Sequence, residues 1–250
     1  MARDFVQKKG VNMARFFVPK ENICEQSVSV TGDELVHISR VLRMKAGDIL
    51  TLCDGEKTDY ECEIISISKT EAVCKILSCT QNPCEQVFSV TLFQSVPKGE
   101  KMDLIIQKSV ELGITEIRPF FSARTVAKSH GKTARWNKIA LEAAKQCGRG
   151  IVPAVYEPVE FSEALAQNTA ELSIFAYEEE TQTTLKSVLR SAPAPANIAV
   201  FVGPEGGFEK SEVDTAKESG CRVITLGKRI LRAETAPITI ISNIMYEYLL

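Results

Sequence analysis

Two glycine-rich loops, each following a short apolar segment, lie close together near the carboxyl end of the chain. The first segment, Ile198 to Val202, runs into Gly203-Pro204-Glu205-Gly206-Gly207-Phe208, and the second, Val223 to Leu226, runs into Gly227 and on to Ala236. A short apolar run that ends in glycine predicts a buried strand followed by a tight turn. Because the backbone of such a turn is open to a ligand, the two loops indicate a binding site.

Spacing excludes two common nucleotide-binding loops. A dinucleotide-binding fold requires G-x-G-x-x-G after its first strand, and Gly203, Gly206 and Gly207 do not have that spacing. A nucleotide hydrolase requires G-x-x-x-x-G-K-[ST], and Val126 occupies the first glycine position before Gly131-Lys132-Thr133. The alternative that both loops are ordinary strand-to-helix connections, in which glycine serves only the turn, stays open.

The rest of the chain shows two kinds of periodicity. Residues 15 to 86 contain short alternating strands, which predict a small antiparallel barrel. One helix interrupts them: a capping box from Thr31 to Glu34 precedes the apolar positions Leu35, Ile38, Val41 and Leu42. From Val87 onward strands and helices alternate, which predicts a mostly parallel sheet with helices on both faces. The last helix is predicted from Pro237 to Leu250.

Four segments, in this order along the chain, resemble the motifs of the RsmE family. They are Gln107 to Gly113, Arg135 to Arg149, Val202 to Phe208 and Leu226 to Ala236. Members of this family are 16S ribosomal RNA (uracil-N3)-methyltransferases of the SPOUT superfamily. The resemblance spans nearly the whole chain, and it implies an S-adenosylmethionine-dependent enzyme that methylates N3 of a uridine in 16S rRNA of the small ribosomal subunit.

The resemblance also implies a fold and a domain order. The expected fold class is α/β, with a SPOUT-type trefoil-knotted, mostly parallel sheet at residues 87–250 and a small PUA-like β-barrel RNA-binding domain at residues 13–82. Residues 1–12 precede a family-like start at Met13 and are expected to be a disordered extension. General topology rules argue against a knot, so the knot rests on the resemblance alone. SPOUT enzymes are homodimers, and a homodimer is expected here.

By the same resemblance, main-chain and apolar groups of the two loops and of a third strand end hold S-adenosylmethionine. The expected cofactor-binding residues are Ala176, Tyr177, Val202, Gly203, Glu205, Gly206, Gly207, Leu226, Gly227, Ile230 and Leu231.

Methylation of uridine N3 requires loss of its proton, and therefore a base or a cation that stabilises the anion. Arg232 and Glu234 are the expected catalytic residues, as anion stabiliser and as base or orienting group respectively. The alternative for Glu234 is an ion pair with Arg229 or Arg232 that shapes the loop.

Charge is distributed unevenly although the net charge is only −2. Residues 98–149 hold eleven lysines and arginines against five acidic residues, whereas residues 150–198 hold two against seven. Phosphate contacts need local positive charge, so a basic RNA-binding face is possible, and a solvated helix face is the alternative. The expected RNA contacts are Arg15, Arg124, Lys128 and Arg149, and Arg40 and Arg43 are further candidates on the barrel.

Other features narrow the class of protein. The eight cysteines lack C-x-x-C spacing and the two histidines are isolated, so no metal site is expected. No apolar run has the length of a membrane helix, and the amino terminus lacks the apolar segment of a secretory signal, so a cytoplasmic protein is expected. The competing function is a non-catalytic RNA-binding protein that keeps the fold, which the two glycine loops disfavour.

Overall fold

The computed structural model describes residues 15–126, 131–191 and 193–249, which form two compact units. The first unit contains the described residues up to Cys84 together with Gly148–Gly150, and the second contains Glu85–Cys147 and the residues from Ile151 onward. The predicted amino-terminal extension and Lys128 lie outside the described residues. Among the described residues, no helix is both long and apolar enough to cross a bilayer.

The first unit is built on a five-stranded sheet. Its strands are β1 (Arg15–Phe17), β2 (Ser27–Val30), β3 (Ile49–Cys53), β4 (Thr58–Ile67) and β5 (Ala72–Gln81), in the order β1-β3-β4-β5-β2. Alternate residues such as Val28, Val30, Leu50 and Leu52 are buried, as expected when one face of a sheet covers a core. The pairs β3–β4, β4–β5 and β5–β2 are antiparallel, whereas β1 pairs with β3 in parallel. The predicted antiparallel pairing is observed among β2, β3, β4 and β5, and β1 adds one parallel pair at the edge of the sheet.

The helix α1 (Gly32–Val36) packs against the core of this unit through Leu35 and continues as a wider turn through His37–Val41. Thr31 occupies the N-cap position as predicted, but its side chain makes no capping hydrogen bond. Gly32 follows with a left-handed φ of 62°, which turns the backbone directly after Thr31. The predicted capping hydrogen bond of the Thr31 hydroxyl is therefore absent, and this part of the capping-box prediction is wrong.

The second unit is built on a seven-stranded sheet in which every pair is parallel. Its strands are β6 (Ser89–Ser95), β7 (Glu116–Phe121), β8 (Ala154–Val155), β9 (Val159–Glu160), β10 (Leu172–Ala176), β11 (Asn197–Val202) and β12 (Arg222–Ile224). They follow the order β12-β10-β11-β6-β7-β8, and β9 also pairs with β7.

The described residues of this unit form six helices: α2 (Lys101–Glu111), α3 (Thr133–Cys147), α4 (Phe161–Ala166), α5 (Leu185–Leu189), α6 (Lys210–Glu218) and α7 (Thr235–Tyr248). Helix α7 begins two residues before the predicted Pro237, which still lies in its first turn. It packs against α2, α5, β6 and β11. Ile241 and Met245 on α7 are buried in this core.

Aromatic packing fixes the position of the first glycine loop. The ring of Phe208, at the end of that loop, lies 4.2 Å from the ring of Phe175 on β10, measured between centroids. Phe201 on β11 stacks on Phe93 of β6 at 4.3 Å. Since both loop ends are tied to buried aromatic residues, the loop is anchored to three neighbouring strands.

The end of β12 runs between two parts of the segment that leaves β10. The amide of Tyr177 donates to Ile224 O at 3.0 Å, and on the other side the amide of Thr225 donates to Thr183 O at 2.8 Å. Thr225 also forms an isolated parallel bridge with Thr184. A strand end that passes between two parts of one connecting segment has the local arrangement that a knotted backbone requires. The trefoil knot itself stays a prediction.

Candidate functional site

A cavity of about 970 Å³ lies where the second-unit strands β10, β11 and β12 end. Three loops surround it: the segment after Ala176, the Gly203–Phe208 loop and the Gly227–Ala233 loop. Ligands of open parallel sheets bind beyond the carboxyl ends of the strands, and this volume is within the range of small-molecule sites. The two loops that the sequence singles out are therefore brought together around one cavity.

Every residue predicted to bind the cofactor lines this cavity. They are Ala176, Tyr177, Val202, Gly203, Glu205, Gly206, Gly207, Leu226, Gly227, Ile230 and Leu231. Arg232, predicted to be catalytic, lines it as well. The structure places these residues together, and their roles in binding and catalysis stay predictions.

The glycines of the first loop are needed because other groups approach closely. A Cβ on Gly203 would lie 3.0 Å from the ring of Phe208. A Cβ on Gly207, whose φ is 68°, would lie 1.8 Å from Oε1 of Glu178. The carboxylate of Glu178 therefore rests against the loop backbone, at the wall of the cavity.

The second loop leaves space above its glycine. Gly227 has a φ of 105°, and a Cβ placed there would meet no atom within 4 Å. Its amide donates to Oγ1 of Thr225 at 3.1 Å, which holds the turn. Because Gly227 lines the cavity, a side chain at this position would project into open space beside the ligand site.

A group of opposite charges joins α2 to both loops. The ammonium of Lys101, the first residue of α2, lies 2.7 Å from Oε1 of Glu205 on the first loop and 3.8 Å from Oε2 of Glu234 after the second. Glu234 also lies 4.0 Å from Nη1 of Arg232. Oε2 of Glu234 is buried and has no hydrogen-bond partner among the described residues.

These contacts determine the charge states at the cavity. Burial favours a raised pKa for Glu205, but the ammonium of Lys101 and the amide of Lys98 outweigh it and lower that pKa. The hydrogen bond to Glu205 raises the pKa of Lys101. Burial, followed by a hydrogen bond to Glu179, raises the pKa of Tyr177 to about 12. Glu205 is therefore anionic, Lys101 cationic and the phenol of Tyr177 protonated near neutral pH.

The sequence did not identify Lys101, Glu178 or Glu180 as residues of this site, although all three line the cavity. Lys101 is distant in sequence from both glycine loops, and only the β6–β11 pairing brings its helix to them. One signal was available: the Lys98–Lys101 segment follows the strand β6, and the carboxyl ends of parallel strands share one edge of the sheet.

Two of the predicted RNA contacts have structural roles in the first unit. The guanidinium of Arg15 pairs with Asp59 through both oxygens, one bond being 2.8 Å long, and it donates to Arg149 O at 3.2 Å. Arg149 is only 3% exposed. The side chain of Arg15 is 16% exposed, so both arginines have little surface left for RNA. The sequence could not reveal this, because the partners lie far apart in the chain.

The third predicted RNA contact, Arg124, lies beside the first glycine loop in the second unit. Its Nη1 donates to Gly206 O at 2.9 Å, and its side chain remains half exposed. Arg124 is thus available to RNA and also supports the cavity wall. Among the described residues, no group of three or more His, Cys, Asp or Glu side chains is arranged to hold a metal ion.

The cavity fits a ligand with apolar and cationic parts, as the expected S-adenosylmethionine has. Its wall combines buried apolar groups such as Val202 and Phe208 with the carboxylates of Glu178 and Glu205. The turn at Gly227 leaves space that any side chain would fill. Apolar surface suits a nucleoside, and carboxylates suit a sulfonium or an ammonium group.

Comparisons with known proteins agree with this arrangement. The family model of the RNA methyltransferase domain matches residues 84–245, and that of the RNA methyltransferase PUA domain matches residues 30–77. Ribosomal RNA small subunit methyltransferase E of Bacillus subtilis is 36% identical over 248 residues, which cover 94% of this chain and 97% of that protein. The protein of the same name from Synechocystis is 32% identical over 92% of this chain and 76% of its own length.

Solved structures give the same result. Ribosomal RNA small subunit methyltransferase E of Neisseria gonorrhoeae, bound to S-adenosylmethionine, aligns with a TM-score of 0.84 and 33% identity over 94% of this chain and 98% of that one. A methyltransferase of Legionella pneumophila, also in complex with S-adenosylmethionine, aligns with a TM-score of 0.82 and 29% identity, with the same coverage. The predicted family and fold class are confirmed: this chain belongs to the ribosomal RNA small subunit methyltransferase E family of RNA methyltransferases.

Proposed function

We propose that this protein transfers the methyl group of S-adenosylmethionine to N3 of a uridine in 16S rRNA. The observation that carries the proposal is the single cavity that both glycine loops form at the ends of β10, β11 and β12. Family membership and the cofactor-bound relative from Neisseria gonorrhoeae support the same chemistry. An intact cavity disfavours the alternative of an RNA-binding protein without catalysis.

We assign cofactor binding to the two glycine loops and to the carboxylates that line the cavity. S-Adenosylmethionine, when bound, supplies an activated methyl group on a sulfonium. Backbone groups of the Gly203–Phe208 and Gly227–Ala233 loops surround the nucleoside, because the glycines leave their peptide units uncovered. The carboxylates of Glu178 and Glu205 face the cationic part of the cofactor.

We assign removal of the N3 proton to Arg232 and Glu234, the charged residues beside the cavity. The N3 proton of a neutral uridine must leave before the nitrogen can accept a methyl group. Arg232 is 82% exposed at its side chain, so it can meet an incoming base and stabilise the anion. Glu234 is held between Lys101 and Arg232, where it orients the guanidinium or accepts the proton. Tyr177 is not suited as a base near neutral pH because its pKa is raised to about 12.

We also infer the biological setting. N3 lies on the Watson–Crick edge, so the uridine must be unpaired or turned out of a helix when it is methylated. A target in 16S rRNA implies a small ribosomal subunit or its precursor as substrate, in the cytoplasm. Two copies are expected to associate through exposed apolar side chains of the second unit, among them Leu104 on α2 and Tyr246 and Leu249 at the end of α7.

Two measurements test the proposal. Titration calorimetry with S-adenosylmethionine is expected to give saturable binding, and the absence of binding would favour a non-catalytic protein. Small subunits from cells that lack the modification are then incubated with enzyme and cofactor, and the rRNA is digested for nucleoside mass spectrometry. The expected product is N3-methyluridine, and methylation only at another position would refute the assignment to N3.

A further inference from the structure

One apolar side chain at the cavity differs from the rest of the wall. Ile230, in the second glycine loop, is 85% exposed although it is one of the lining residues. The other apolar side chains of the wall, such as Val202, Phe208 and Leu231, are buried or half-buried. A single exposed apolar residue is common on protein surfaces, so the position of Ile230 at the mouth of the cavity, and not its exposure alone, requires an explanation.

Cations lie on both sides of Ile230 in the loop. Lys228 and Arg229 precede it and Arg232 follows, and all three have exposed side chains at the same cavity. Across residues 15–126, 131–191 and 193–249, no carboxylate forms an ion pair with Lys228 or Arg229. Cations without a protein partner have their full hydrogen-bonding capacity available to phosphate groups. An aliphatic side chain between such cations suits a polyanion that also offers apolar surface, as the stacked bases of RNA do.

The loop is held at its two ends. The amide of Gly227 donates to Oγ1 of Thr225 at 3.1 Å, and Arg232 O accepts from the amides of Thr235 and Ala236 at 2.9 and 3.1 Å. Between these points, no hydrogen bond within the described part of the chain involves residues 228–231. A segment with fixed ends and no hydrogen bonds of its own adjusts to a ligand at little cost in free energy.

The proposed reaction requires a group that can keep a base out of a stack. Uridine N3 reaches the cofactor only after the base has left its stacked neighbours, and the lost stacking must be offset. Proteins that unstack bases commonly insert an aliphatic side chain, isoleucine among them, into the gap. Isoleucine is branched at Cβ and stiff at χ1, so it loses little rotamer freedom when it is inserted.

We propose that Ile230 is a wedge that fills the gap left by the target uridine, while Lys228 and Arg229 hold the phosphates beside it. The inference rests on the proposed function and adds to it the residue that positions the uridine outside its stack. It changes the expected role of Ile230 from cofactor binding to substrate positioning. Arg232, two residues further on, then lies next to the extruded base.

An RNA strand fits this part of the loop better than a second copy of the chain does. One aliphatic side chain among three cations offers little apolar area to a protein surface. The cations would also need carboxylates opposite them, because a charge buried without a partner is strongly unfavourable. Phosphates on either side of an unstacked base meet both requirements at once.

Base unstacking is measured with a hairpin fragment of 16S rRNA that holds the target uridine within a helix. A 2-aminopurine replaces the neighbouring base, and its fluorescence rises when it loses a stacked neighbour. Full-length protein is added to saturation together with S-adenosylhomocysteine, so that the RNA stays unmethylated. We expect the unmodified protein to raise the fluorescence, Ile230→Ala to give less than about half of that rise, and Ile230→Leu to restore most of it.

A matched control removes an exposed aliphatic side chain elsewhere on the second unit. Val87 is fully exposed and does not line the cavity, so Val87→Ala is expected to give the full fluorescence rise. Thermal unfolding of both variants is expected to match that of the unmodified protein, because substitutions of exposed side chains change stability little.

Three results would overturn the proposal. The first is an equal fluorescence rise for Ile230→Ala and the unmodified protein. The second is a loss of S-adenosylmethionine affinity in Ile230→Ala, measured by titration calorimetry, which would assign the side chain to the cofactor site. The third is a change of oligomeric state in sedimentation, which would show that a second copy of the chain covers Ile230.

The cations are tested separately from the wedge. Lys228→Gln/Arg229→Gln is expected to lower affinity for the hairpin by about tenfold, with a salt slope smaller by roughly two, and to keep the fluorescence rise at saturation. Lys186→Gln/Lys217→Gln removes two exposed cations of the second unit that do not line the cavity, and it is expected to bind nearly as the unmodified protein does. Equal losses in the two variants would remove Lys228 and Arg229 from the phosphate contacts.

Failure of the wedge and failure of the proposed function give different results. The fluorescence rise needs no turnover, so a dependence on Ile230 would support the wedge even if no methylated product forms. A protein that makes N3-methyluridine but gives the full rise with Ile230→Ala would keep its proposed function and lose only the wedge.

Discussion

Lys101 and Glu205 form an ion pair of 2.7 Å that ties α2 to the first glycine loop, and the amide of Lys98 adds a hydrogen bond of 3.1 Å to the same carboxylate. The pair lies at the cavity wall and joins the loop to a helix more than one hundred residues earlier in the chain. This link suggests that Lys101 positions the loop for the cofactor.

Replacing Lys101 by Met is expected to weaken cofactor binding by roughly tenfold, because a charge-assisted hydrogen bond contributes about 1.5 kcal/mol or more. Lys101→Arg keeps the charge and is expected to lose less. Titration calorimetry measures both affinities. If Lys101→Met binds the cofactor as tightly as the unmodified protein, the ion pair does not position the loop.

The same pair predicts a pH dependence. The folded-state pKa of Glu205 is lowered, so the stability that the pair provides is present above the ordinary carboxyl pKa and is lost as pH falls through the lowered value. The difference in unfolding free energy between the unmodified protein and Lys101→Met is therefore expected to be constant between about pH 5 and about pH 9 and to shrink in acid. Chemical denaturation at several pH values tests this, and a difference that grows in acid would contradict it.

Gly207 offers a comparison between backbone strain and loss of a contact. Gly207→Ala introduces strain at a φ of 68° and displaces the carboxylate of Glu178, whereas Gly220→Ala introduces strain at 84° with no atom within 4 Å. Both are expected to destabilise the protein by about 1 kcal/mol. Only Gly207→Ala is expected to weaken cofactor binding as well. Equal cofactor affinities in the two variants would remove Glu178 and Gly207 from the binding site.

Arg15 is expected to stabilise the first unit and not to bind RNA. Arg15→Met leaves Asp59 buried with Asn82 as its remaining side-chain partner at 2.9 Å, so we expect a loss of about 3 kcal/mol. Lys20→Met is the control, because its pair with Glu56 is exposed and is expected to contribute less than about 1 kcal/mol. Denaturant unfolding measures both values, and a loss in RNA affinity of folded Arg15→Met would restore the first expectation.

Arg124 can support the cavity, bind RNA, or both. Its hydrogen bond to Gly206 O is made by Nη1 at one position of the planar guanidinium, which the ammonium of lysine does not reproduce, whereas a phosphate contact requires mainly positive charge. Arg124→Lys is therefore expected to lower cofactor affinity by a few-fold and to keep most RNA affinity, and Arg124→Ala is expected to lower both. If Arg124→Lys changes neither affinity, the hydrogen bond to the loop has no role in binding.

The parts of the molecule that could be predicted from sequence are those that local patterns encode. Gly203 and Gly227 end buried strands, and parallel pairing alone is enough to bring their loops to one edge of the sheet. The place of Lys101 at the site is harder to predict from sequence, because its contact with Glu205 depends on the position of α2 in the folded unit.

The roles of charged residues are harder to predict from sequence than those of glycines, because they depend on partners that are distant in the chain. Arg15 and Asp59 are 44 residues apart and meet only when β1 and β4 flank β3. Val41 was placed in the core by helical periodicity, and a single widened turn after His37 moved it to the surface. Patterns of this kind identify an element but not an irregularity within it.

The final prediction concerns Arg232 and Glu234, whose charged atoms lie 4.0 Å apart at the cavity. Glu234 is only 15% exposed at its side chain and also faces Lys101 at 3.8 Å, so it is surrounded by positive charge, whereas Arg232 extends into solvent. A carboxylate held between two cations is well placed to orient a guanidinium. We therefore expect Arg232 to stabilise the uridine anion and Glu234 to orient it.

Methyl-transfer rates at saturating cofactor and RNA decide between these roles. Arg232→Ala is expected to lower kcat by roughly 100-fold or more, as for removal of a group that stabilises a developing anion. Glu234→Gln keeps the shape of the side chain and is expected to lower kcat less than Arg232→Ala does. Arg232→Lys is expected to retain part of the rate. A base would behave differently: Glu234→Gln would then lose nearly all turnover, and the acid limb of the pH profile would disappear with cofactor affinity unchanged. Near-normal turnover in Arg232→Ala would remove Arg232 from the chemistry and leave Glu234 as the candidate base.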